Sequence, residues 1–398
     1  MKLLVLTDTY LPDRVSGAAL VHDLVGGFAA EGHSVTVLTP ARQKQSQIEI
    51  KEEDGATIIR FWAGRLKGVN LFQRAWNEFN LSRRATTALK SMHSRQVWDG
   101  IVFYSPSIFW GPLVRQLKRN GSGRAFLILR DIFPQWTIDA RIMREGLISR
   151  FFRYYEHQQY QAADVIGVQM ERDIHYFEGR ARKYRAKVTL LRNWSNATPV
   201  ESKNTYRKKW RIGEKILCIY GGNVGRAQGL ENLVEIAALL DGDSRLHIAI
   251  VGDGTEVTRI KNGIDTYRLK NTRYYGSLSQ EEYQLVIAEA DIGLVFLDPR
   301  LTTNNFPGKL LSYMRAGIPI VAGVNKGAEI ISLINNEKIG FAESADNHEK
   351  IAACIRLLVD NPALRRSMGK QSRQLLREMF STKNAVRVIT EGLINKGS

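Results

Sequence analysis

The sequence predicts an α/β protein with two facing Rossmann-like domains, each a doubly wound parallel sheet, and a cleft between them. A strand, a glycine-containing loop and a helix follow one another at the start of the chain and again from about residue 215. At 398 residues the chain also exceeds the usual size of one hydrophobic core. Strands that alternate with helices pair in parallel, and such sheets bind ligands at the carboxyl ends of their strands.

The first domain is predicted over residues 1–195. Its opening strand at 3–7 leads into a loop over 8–17 and a helix over 18–31, which Gly32 ends. More strand-like apolar runs follow at 34–38, 57–61, 100–104, 125–129 and 165–168. The stretch NWSNATPVESKNT is polar and rich in turn formers, so we expect a linker at 196–213.

The second domain is predicted over residues 214–380. It begins with the strand ILCIYGG, the loop NVGRAQG and the helix LENLVEIAALL. Later in this domain, the stretch 304–322 predicts a polar loop, a short helix that Gly317 ends, and a buried strand. A last helix over 382–394, within a C-terminal segment 381–398, is expected to pack back on the first domain.

The net charge of +17 indicates an anionic partner. Basic residues cluster with aromatic ones at 65–85, 149–155 and 180–187, a combination that suits an anionic membrane surface. No zinc-finger, RNA-recognition or helix-turn-helix signature is present, so a nucleic-acid partner is not predicted. A basic face that is simply solvated is the plain alternative.

The chain is expected to lie in the cytoplasm, associated peripherally with the inner face of the membrane. Met1 leads directly into the strand-like LLVLT, without a signal peptide, and no apolar run has transmembrane length. The seven histidines and two cysteines lack the spacing of metal ligands. We therefore expect no metal and no cofactor.

Three loops that open helices are predicted to bind phosphate, because a helix start presents unsatisfied N–H groups and the positive end of the helix dipole. The loop 8–17 ends in Ser16-Gly17, the loop 221–229 combines four glycines with Arg226, and Pro307-Gly308 precedes Lys309. Arg226 would supply a forked positive charge for a leaving diphosphate. A nucleoside base could stack near Tyr274-Tyr275, where another strand ends.

In this order and spacing, the motifs resemble those of retaining glycosyltransferases of GT-B fold and family 4 type, which assemble bacterial O-antigen and capsule polysaccharides. The resemblance runs nearly end to end, through DTYLPDRVSG, EGHSVTVLTP, RDIFPQ, ADVIGVQ, LLRNWSN, YGGNVGRAQGLENL, IVGDG and FPGKLLSYMRAGIPIVA. YSPSIFWGP with RDIFPQW looks closest to transferases that use N-acetyl-L-fucosamine. The resemblance implies an acceptor-side first domain, a second domain for the UDP-sugar, and a lipid-linked (polyprenyl-diphosphate) saccharide as acceptor.

The resemblance also implies roles for individual residues. Gly17 would touch the diphosphate, and the backbone of 306–309 would meet the sugar and phosphates. Catalytic roles fall to Arg226, Lys309 and Asp131. For Asp131 the role is that of an acceptor-side carboxylate, and the alternative is that it holds the turn 130–135. The other residues expected at the donor sugar and diphosphate are Ser16, Asn223, Gln228, Asn304, Asn305, Phe306, Pro307, Gly308 and Leu310. Those expected at the nucleoside are Gly252, Tyr274, Tyr275 and Ser312. Those expected on the acceptor side are Asp8, Tyr10, Asp13 and Tyr104.

Several positions depart from the family pattern. Asn304 and Ser312 occupy the places of two glutamates that are common in the family, and Asn223 and Gln228 those of an arginine and a lysine. Tyr104 stands where a histidine is often found near the sugar. We expect Arg226 and Lys309 to supply the positive charge from shifted positions.

Two other functions remain open at this point. A UDP-sugar 2-epimerase shares the fold, but it would need neither an acceptor nor a basic aromatic face. A nucleic-acid-binding protein would use the charge alone, and its binding would be sensitive to salt.

Overall fold

The computed structural model describes residues 1–13, 15–44, 48–65, 69, 71–91, 96–139, 141–300 and 306–394. The chain divides into two compact units. Unit 1 comprises Met1–Trp194 and the chain from Thr382 onward, and unit 2 comprises Ser195–Ser381. Each unit is built on a largely parallel sheet with helices, which confirms the predicted fold class.

Unit 1 contains an eight-stranded sheet in the order β3-β4-β2-β1-β5-β6-β7-β8. Its strands are β1 (Lys2–Leu6), β2 (Ser34–Pro40), β3 (Glu49–Glu53), β4 (Ala56–Phe61), β5 (Gly100–Tyr104), β6 (Arg124–Leu129), β7 (Val165–Val168) and β8 (Val188–Leu190). Its helices before residue 195 are α1 (Ser16–Ala30), α2 (Leu71–Phe79), α3 (Leu81–Ser91), α4 (Gly111–Arg119), α5 (Gln135–Asp139), α6 (Leu147–Ala162) and α7 (Glu171–Glu178).

The first strand shows why this sheet needs helices on both faces. Leu4 and Leu6 point into one apolar layer, which also contains residues of α3, α4 and α6. Leu3 and Val5 point the other way, into a layer with α1 and the C-terminal helix. Successive side chains of a strand alternate between faces, so a wholly apolar strand must be covered twice.

The edge strand β3 is not predicted by the apolar pattern, because EIKEE is mostly charged. It pairs antiparallel with β4 across the turn Asp54-Gly55, both of whose residues have positive φ. Charged side chains on an edge strand discourage pairing with another chain.

Unit 2 contains a six-stranded sheet in the order β11-β10-β9-β12-β13-β14, in which every pairing is parallel. Its strands are β9 (Ile216–Asn223), β10 (Leu246–Asp253), β11 (Thr272–Tyr274), β12 (Ile292–Phe296), β13 (Ile320–Val324) and β14 (Gly340–Ser344). Its helices are α8 (Thr205–Lys209), α9 (Glu231–Leu239), α10 (Val257–Thr266), α11 (Gln280–Ala288), α12 (Lys309–Ala316), α13 (Glu329–Asn336), α14 (His348–Asp360) and α15 (Pro362–Met379).

Much of the segment predicted as a linker, 196–213, is anchored in unit 2. Helix α8 lies within it, and the buried carboxylate of Glu289 accepts backbone hydrogen bonds from Thr205, Tyr206 and Arg207 at 2.6, 2.9 and 2.8 Å. The Arg207 guanidinium also pairs with Asp291. The polar composition conceals this anchoring, because the carboxylates that satisfy the helix start lie more than 80 residues further along the chain.

The chain returns to unit 1 in helix α16 (Thr382–Ile394). This helix lies so close to α1 that a Cβ atom on Gly27 would come within 2.8 Å of the Thr382 side chain. Nearby, the Trp194 indole donates a hydrogen bond of 2.9 Å to the carbonyl of Leu20. In the described part of the chain, no helix has both the length and the apolarity needed to cross a bilayer.

Candidate active site

In each unit several of the predicted site residues lie at the ends of strands next to the point where the strand order reverses, and a doubly wound sheet leaves a crevice at that point. In unit 2 the reversal lies between β9 and β12, and in unit 1 between β1 and β5. The two half-sites are described separately below.

Lys309 is the main cationic group of the unit 2 half-site. It is the first residue of α12, and its Nζ lies 3.7 Å from the centroid of the ring of Tyr220, a residue of β9. An ammonium over an aromatic face is stabilised by the ring quadrupole. Burial nevertheless disfavours the charged form and lowers the pKa of Lys309 to about 7. The neutral amine is thus poised to take up a proton when an anion binds.

Two tyrosines that we did not predict hold this half-site together. The Tyr220 hydroxyl donates to the carbonyl of Asn223 at 2.7 Å. This bond connects the ring that Lys309 contacts with the glycine loop. On α12, the Tyr313 hydroxyl lies 3.0 Å from the carbonyl of Ile219 and 3.2 Å from that of Leu294. The only sequence signal for either residue is its position, directly before Gly-Gly or within an apolar helix.

The glycine loop exposes backbone at Gly222, and its polar side chains bond to one another. Gly222 has a φ of +125° and is exposed, a conformation that a residue with a side chain rarely adopts. The Asn223 amide donates to Gln228 at 2.9 Å, and Gln228 also accepts the N–H of Gly225 at 3.2 Å. Asn223 and Gln228 therefore lie together and stabilise the loop, where the family pattern has two cations.

Arg226 lies on the exposed outer side of this loop. Among the described residues, no carboxylate forms an ion pair with it. Its charge is felt at the end of β12, where hydrogen bonding from Arg300, assisted by the charge of Arg226, lowers the pKa of Asp298. Arg226 is therefore available for a ligand phosphate.

The start of α12 differs in detail from the prediction. The N–H groups of Leu310 and Leu311 bond to the carbonyls of Pro307 and Gly308 at 3.0 and 3.2 Å. The Leu310 side chain is fully buried in the core, so Leu310 supports the helix and is not available to contact the donor. In the described part of the chain, the N–H groups of Gly308 and Lys309 have no acceptor, and these two remain candidates for phosphate binding.

The neighbours of this helix start are placed as follows. The Phe306 ring stacks on Phe380 with centroids 5.4 Å apart and is half-buried. Ser312 is half-buried within α12. Asn304 and Asn305 lie outside the described residues.

The predicted nucleoside pair is separated by the structure. The Tyr274 hydroxyl donates to the carbonyl of Gly252 at 2.7 Å, at the ends of β11 and β10. Tyr275 faces the other side of the sheet, where its ring stacks on Trp210 at 3.8 Å and its hydroxyl lies 2.9 Å from His247. Adjacent residues of an extended chain point to opposite faces, so the two rings do not share one site, and the nucleoside role of Tyr274 stays a prediction.

In unit 1, the half-site is centred on Tyr104, the last residue of β5. Its hydroxyl accepts a hydrogen bond of 2.8 Å from Arg130, which follows β6. Arg130 also reaches Ser16 at 3.3 Å, and a Cβ atom on Gly17 would lie 3.1 Å from the Tyr104 hydroxyl. The helix begins at Ser16, so Ser16 and Gly17 form its first turn and not the end of the preceding loop. We did not predict a role for Arg130.

The acceptor-side carboxylates do not all lie together. Burial raises the pKa of Asp131, and the pKa of Tyr104 is raised by burial and by the charges of Asp8 and Asp131. Asp13 instead forms a 2.7 Å ion pair with Arg42. Tyr10 is buried in the core with its ring 5.8 Å from His22. Asp8, Asp131 and Tyr104 remain candidates, whereas Asp13 and Tyr10 are engaged in packing the loop after β1.

Within the described residues, no group of three or more histidine, cysteine or acidic side chains could hold a metal ion. The unit 2 half-site offers charge stabilisation of an anion by Lys309, Arg226 and backbone N–H groups.

Comparison with known proteins gives this arrangement a family context. Residues 202–375, within unit 2, match the model of the family "Glycosyl transferases group 1". The probable glycosyltransferase WbjE of Pseudomonas aeruginosa is 29% identical over 54% of this chain, and the match spans about half (54%) of that relative's length. The putative colanic acid biosynthesis glycosyl transferase WcaI of Escherichia coli is 24% identical over 80% of this chain and 82% of its own.

A solved structure extends the likeness to the whole fold. HepE of Anabaena, in complex with UDP, superposes with a TM-score of 0.68 at 12% identity and covers 99% of both chains. Unit 2 is thus similar to the group 1 glycosyltransferase domain, and the chain has the two-domain fold of GT-B type. The predicted enzyme class is confirmed at this level.

Proposed function

We propose that this protein is a retaining glycosyltransferase that moves a sugar from a UDP-sugar to a hydroxyl of a lipid-linked saccharide during synthesis of a bacterial surface polysaccharide. The observation that carries the proposal is the seat of Lys309 over Tyr220, beside the exposed glycine loop of a unit that is similar to the group 1 glycosyltransferase domain. The name of WcaI, which refers to colanic acid, supports the polysaccharide context, and the UDP bound to HepE supports the nucleotide.

In the proposed reaction, the protein mainly has to position the two substrates and stabilise negative charge. The acceptor hydroxyl attacks from the face that the diphosphate leaves, and the diphosphate takes the acceptor proton. Lys309, Arg226 and the N–H groups at the start of α12 stabilise the negative charge that develops on the leaving UDP. No covalent nucleophile is required in this scheme.

The donor sugar is proposed to be a UDP-hexosamine, with UDP-N-acetyl-L-fucosamine as the first candidate. A 6-deoxy sugar carries a methyl group that favours an apolar contact. The half-buried Phe306 ring offers one beside Lys309, whereas Tyr104 is buried and its hydroxyl is bound to Arg130.

The test is acceptor-dependent release of UDP from a panel of UDP-sugars, measured with a polyprenyl-diphosphate saccharide as acceptor. We expect Arg226→Ala to lower kcat/KM by about 100-fold, since it removes an exposed charge from the leaving group. Arg366→Ala, at an exposed position of α15, is the matched control and should leave the rate unchanged. Conversion of the UDP-sugar without an acceptor would favour the epimerase, and salt-sensitive binding of nucleic acid without UDP affinity would contradict both enzymes.

We also propose that unit 1 binds the anionic inner face of a membrane, where a lipid-linked acceptor resides. The surface concerned, called the α6 surface below, consists of the exposed apolar residues Trp76, Phe79, Ile142, Leu147, Ile148, Phe151 and Tyr154. Leu147, Ile148 and Trp76 are 83, 68 and 62% exposed. A group of neighbouring exposed apolar residues marks an interaction surface, whereas single ones are common on any protein. Phe79 connects the α2 and α6 parts of this surface, because its ring lies 5.9 Å from that of Trp76 on α2 and 6.1 Å from that of Phe151 on α6.

The charge around the α6 surface matches an anionic bilayer. Arg141, Arg144 and Arg150 are exposed between its apolar residues. The one acid in this stretch, Glu145, forms an ion pair of 3.2 Å with Arg180. Apolar side chains that enter the headgroup region and arginines that meet lipid phosphates are the pattern of an interfacial surface.

Replacing both Leu147 and Ile148 with glutamate should reduce binding to vesicles that contain phosphatidylglycerol by about tenfold or more, because each change removes an apolar contact and adds a repelled charge. Sedimentation with vesicles measures the effect. Leu357→Glu, at an exposed position of unit 2, is the control and should bind as the unaltered protein does. Equal binding to vesicles of phosphatidylcholine alone would contradict the proposal.

A further inference from the structure

We infer that Arg130 is a diphosphate-binding residue of unit 1, acting together with the first turn of α1. The inference rests on the proposed function for the identity of its ligand, a substrate with a diphosphate. It adds a cation that the family pattern did not lead us to expect.

The guanidinium of Arg130 is held in place by neutral groups only. One nitrogen donates to the Tyr104 hydroxyl at 2.8 Å, and the other terminal nitrogen donates to the Ser16 hydroxyl at 3.3 Å. Guanidinium has five N–H donors, so these two bonds fix its orientation and leave donors for a ligand.

Arg130 is half-buried, and the charge of nearby Asp131 helps to keep it protonated without forming a close ion pair with it. In the described part of the chain, no carboxylate oxygen lies within 4.0 Å of its guanidinium, although Asp131 is the next residue. An arginine that serves only to hold a fold is usually paired when it is partly buried, because removing a charge from water is costly. The arrangement therefore favours an anionic ligand as the missing partner.

The position of Arg130 indicates which kind of anion fits. It follows β6, next to β5, and its bond to Ser16 places it at the start of α1, a helix of 15 residues. In the described residues, the N–H groups of Ser16 and Gly17 have no acceptor, and Gly17 has no side chain to cover them. A forked guanidinium beside two helix-start N–H groups matches the several oxygens of a diphosphate.

Two substrates of the proposed reaction carry a diphosphate: the UDP-sugar and the polyprenyl-diphosphate acceptor. The chemistry at Arg130 is the same for both, so the experiment must distinguish them. Arg130→Gln removes the charge, and Arg130→Lys restores it without the fork. Arg124→Gln is the matched control, because Arg124 begins the same strand and lies at its opposite end.

We expect Arg130→Gln to weaken binding of one diphosphate substrate by about 10- to 100-fold, with partial recovery in Arg130→Lys and no effect of Arg124→Gln. A higher Kd for the UDP-sugar, measured by calorimetry in the absence of acceptor, identifies the donor as the ligand of Arg130. Pyrophosphate should then compete less well with the UDP-sugar for the Arg130→Gln protein. A higher KM for the acceptor at an unchanged donor Kd identifies the acceptor.

A lower Tm of Arg130→Gln with unchanged donor Kd and acceptor KM would overturn the inference, because a purely structural arginine behaves in that way. The proposed function would survive this outcome, since the unaltered protein would still transfer sugar. Tyr104→Phe provides a second check. It removes only the hydroxyl that orients Arg130, so it should weaken the same substrate by a smaller factor.

Discussion

Replacing Lys309 with methionine should lower kcat/KM for the UDP-sugar by about 100-fold or more, because the ammonium is the most closely held cation beside the glycine loop. Methionine keeps a long, flexible side chain over the Tyr220 ring, so the fold should be preserved. Steady-state kinetics with the cognate acceptor measure the effect, and an unchanged Tm shows that the loss is not unfolding. A rate within about twofold of the unaltered enzyme would remove Lys309 from the mechanism.

The same residue should make donor binding depend on pH. Burial lowers the pKa of Lys309 to about 7, so the side chain is charged below neutral pH and becomes neutral above it. A diphosphate binds the charged form, so affinity should fall as pH rises above about 7, and binding near neutral pH should take up a proton. A UDP-sugar is the suitable probe, because both of its phosphates are esterified and keep one charge each throughout this range.

Calorimetry between about pH 6 and pH 9, in buffers of different ionisation enthalpy, measures both the affinity and the proton uptake. Lys309→Arg should flatten the profile, because arginine stays charged over the whole range. An affinity of the unaltered protein that does not change with pH would contradict the assignment of this titration to Lys309.

Gly252→Ala should destabilise unit 2 by about 3 kcal/mol and abolish tight UDP binding. Gly252 has a φ of +141°, and a Cβ atom there would lie 1.7 Å from the carbonyl oxygen of Gly222 on the paired strand. The two strand ends would have to separate, and they carry the glycine loop and the partner of the Tyr274 hydroxyl.

For a unit of this size, such a loss corresponds to a fall in Tm of roughly 6–12 °C. Gly242→Ala is the matched control, because a Cβ atom on Gly242 would have no neighbour within 4 Å. Thermal unfolding followed by circular dichroism, together with UDP calorimetry, gives both readouts. A Gly252→Ala protein as stable as Gly242→Ala would show that the strand ends can move apart at little cost.

The periodic features of the chain were readable from its sequence. Apolar runs such as LLVL and GIVFY predict buried parallel strands, because only a strand covered on both faces can be wholly apolar. The helix that starts at Lys309 and ends at Gly317 was also predictable. Gly317 has a φ of +71°, which is the conformation that ends helices most readily in glycine.

Contacts between distant residues were not readable in the same way. The role of α8 depends on Glu289, and that of Arg130 on Tyr104 and Ser16, each far away along the chain. The separation of Tyr275 from Tyr274 depends on its stacking with Trp210. Neither composition nor spacing encodes which of several nearby polar or aromatic residues will meet.

The sequence by itself determined the fold class and predicted the loops that we expect to bind phosphate, because these depend on local patterns of apolar residues, glycines and charges. Only the tertiary structure decided which side chains serve those loops. It placed Lys309 over Tyr220, bound Asn223 to Gln228 and left Arg130 between neutral hydroxyls. The physical reason is that hydrogen bonds and desolvation act over a few ångströms in space, whatever the separation along the chain.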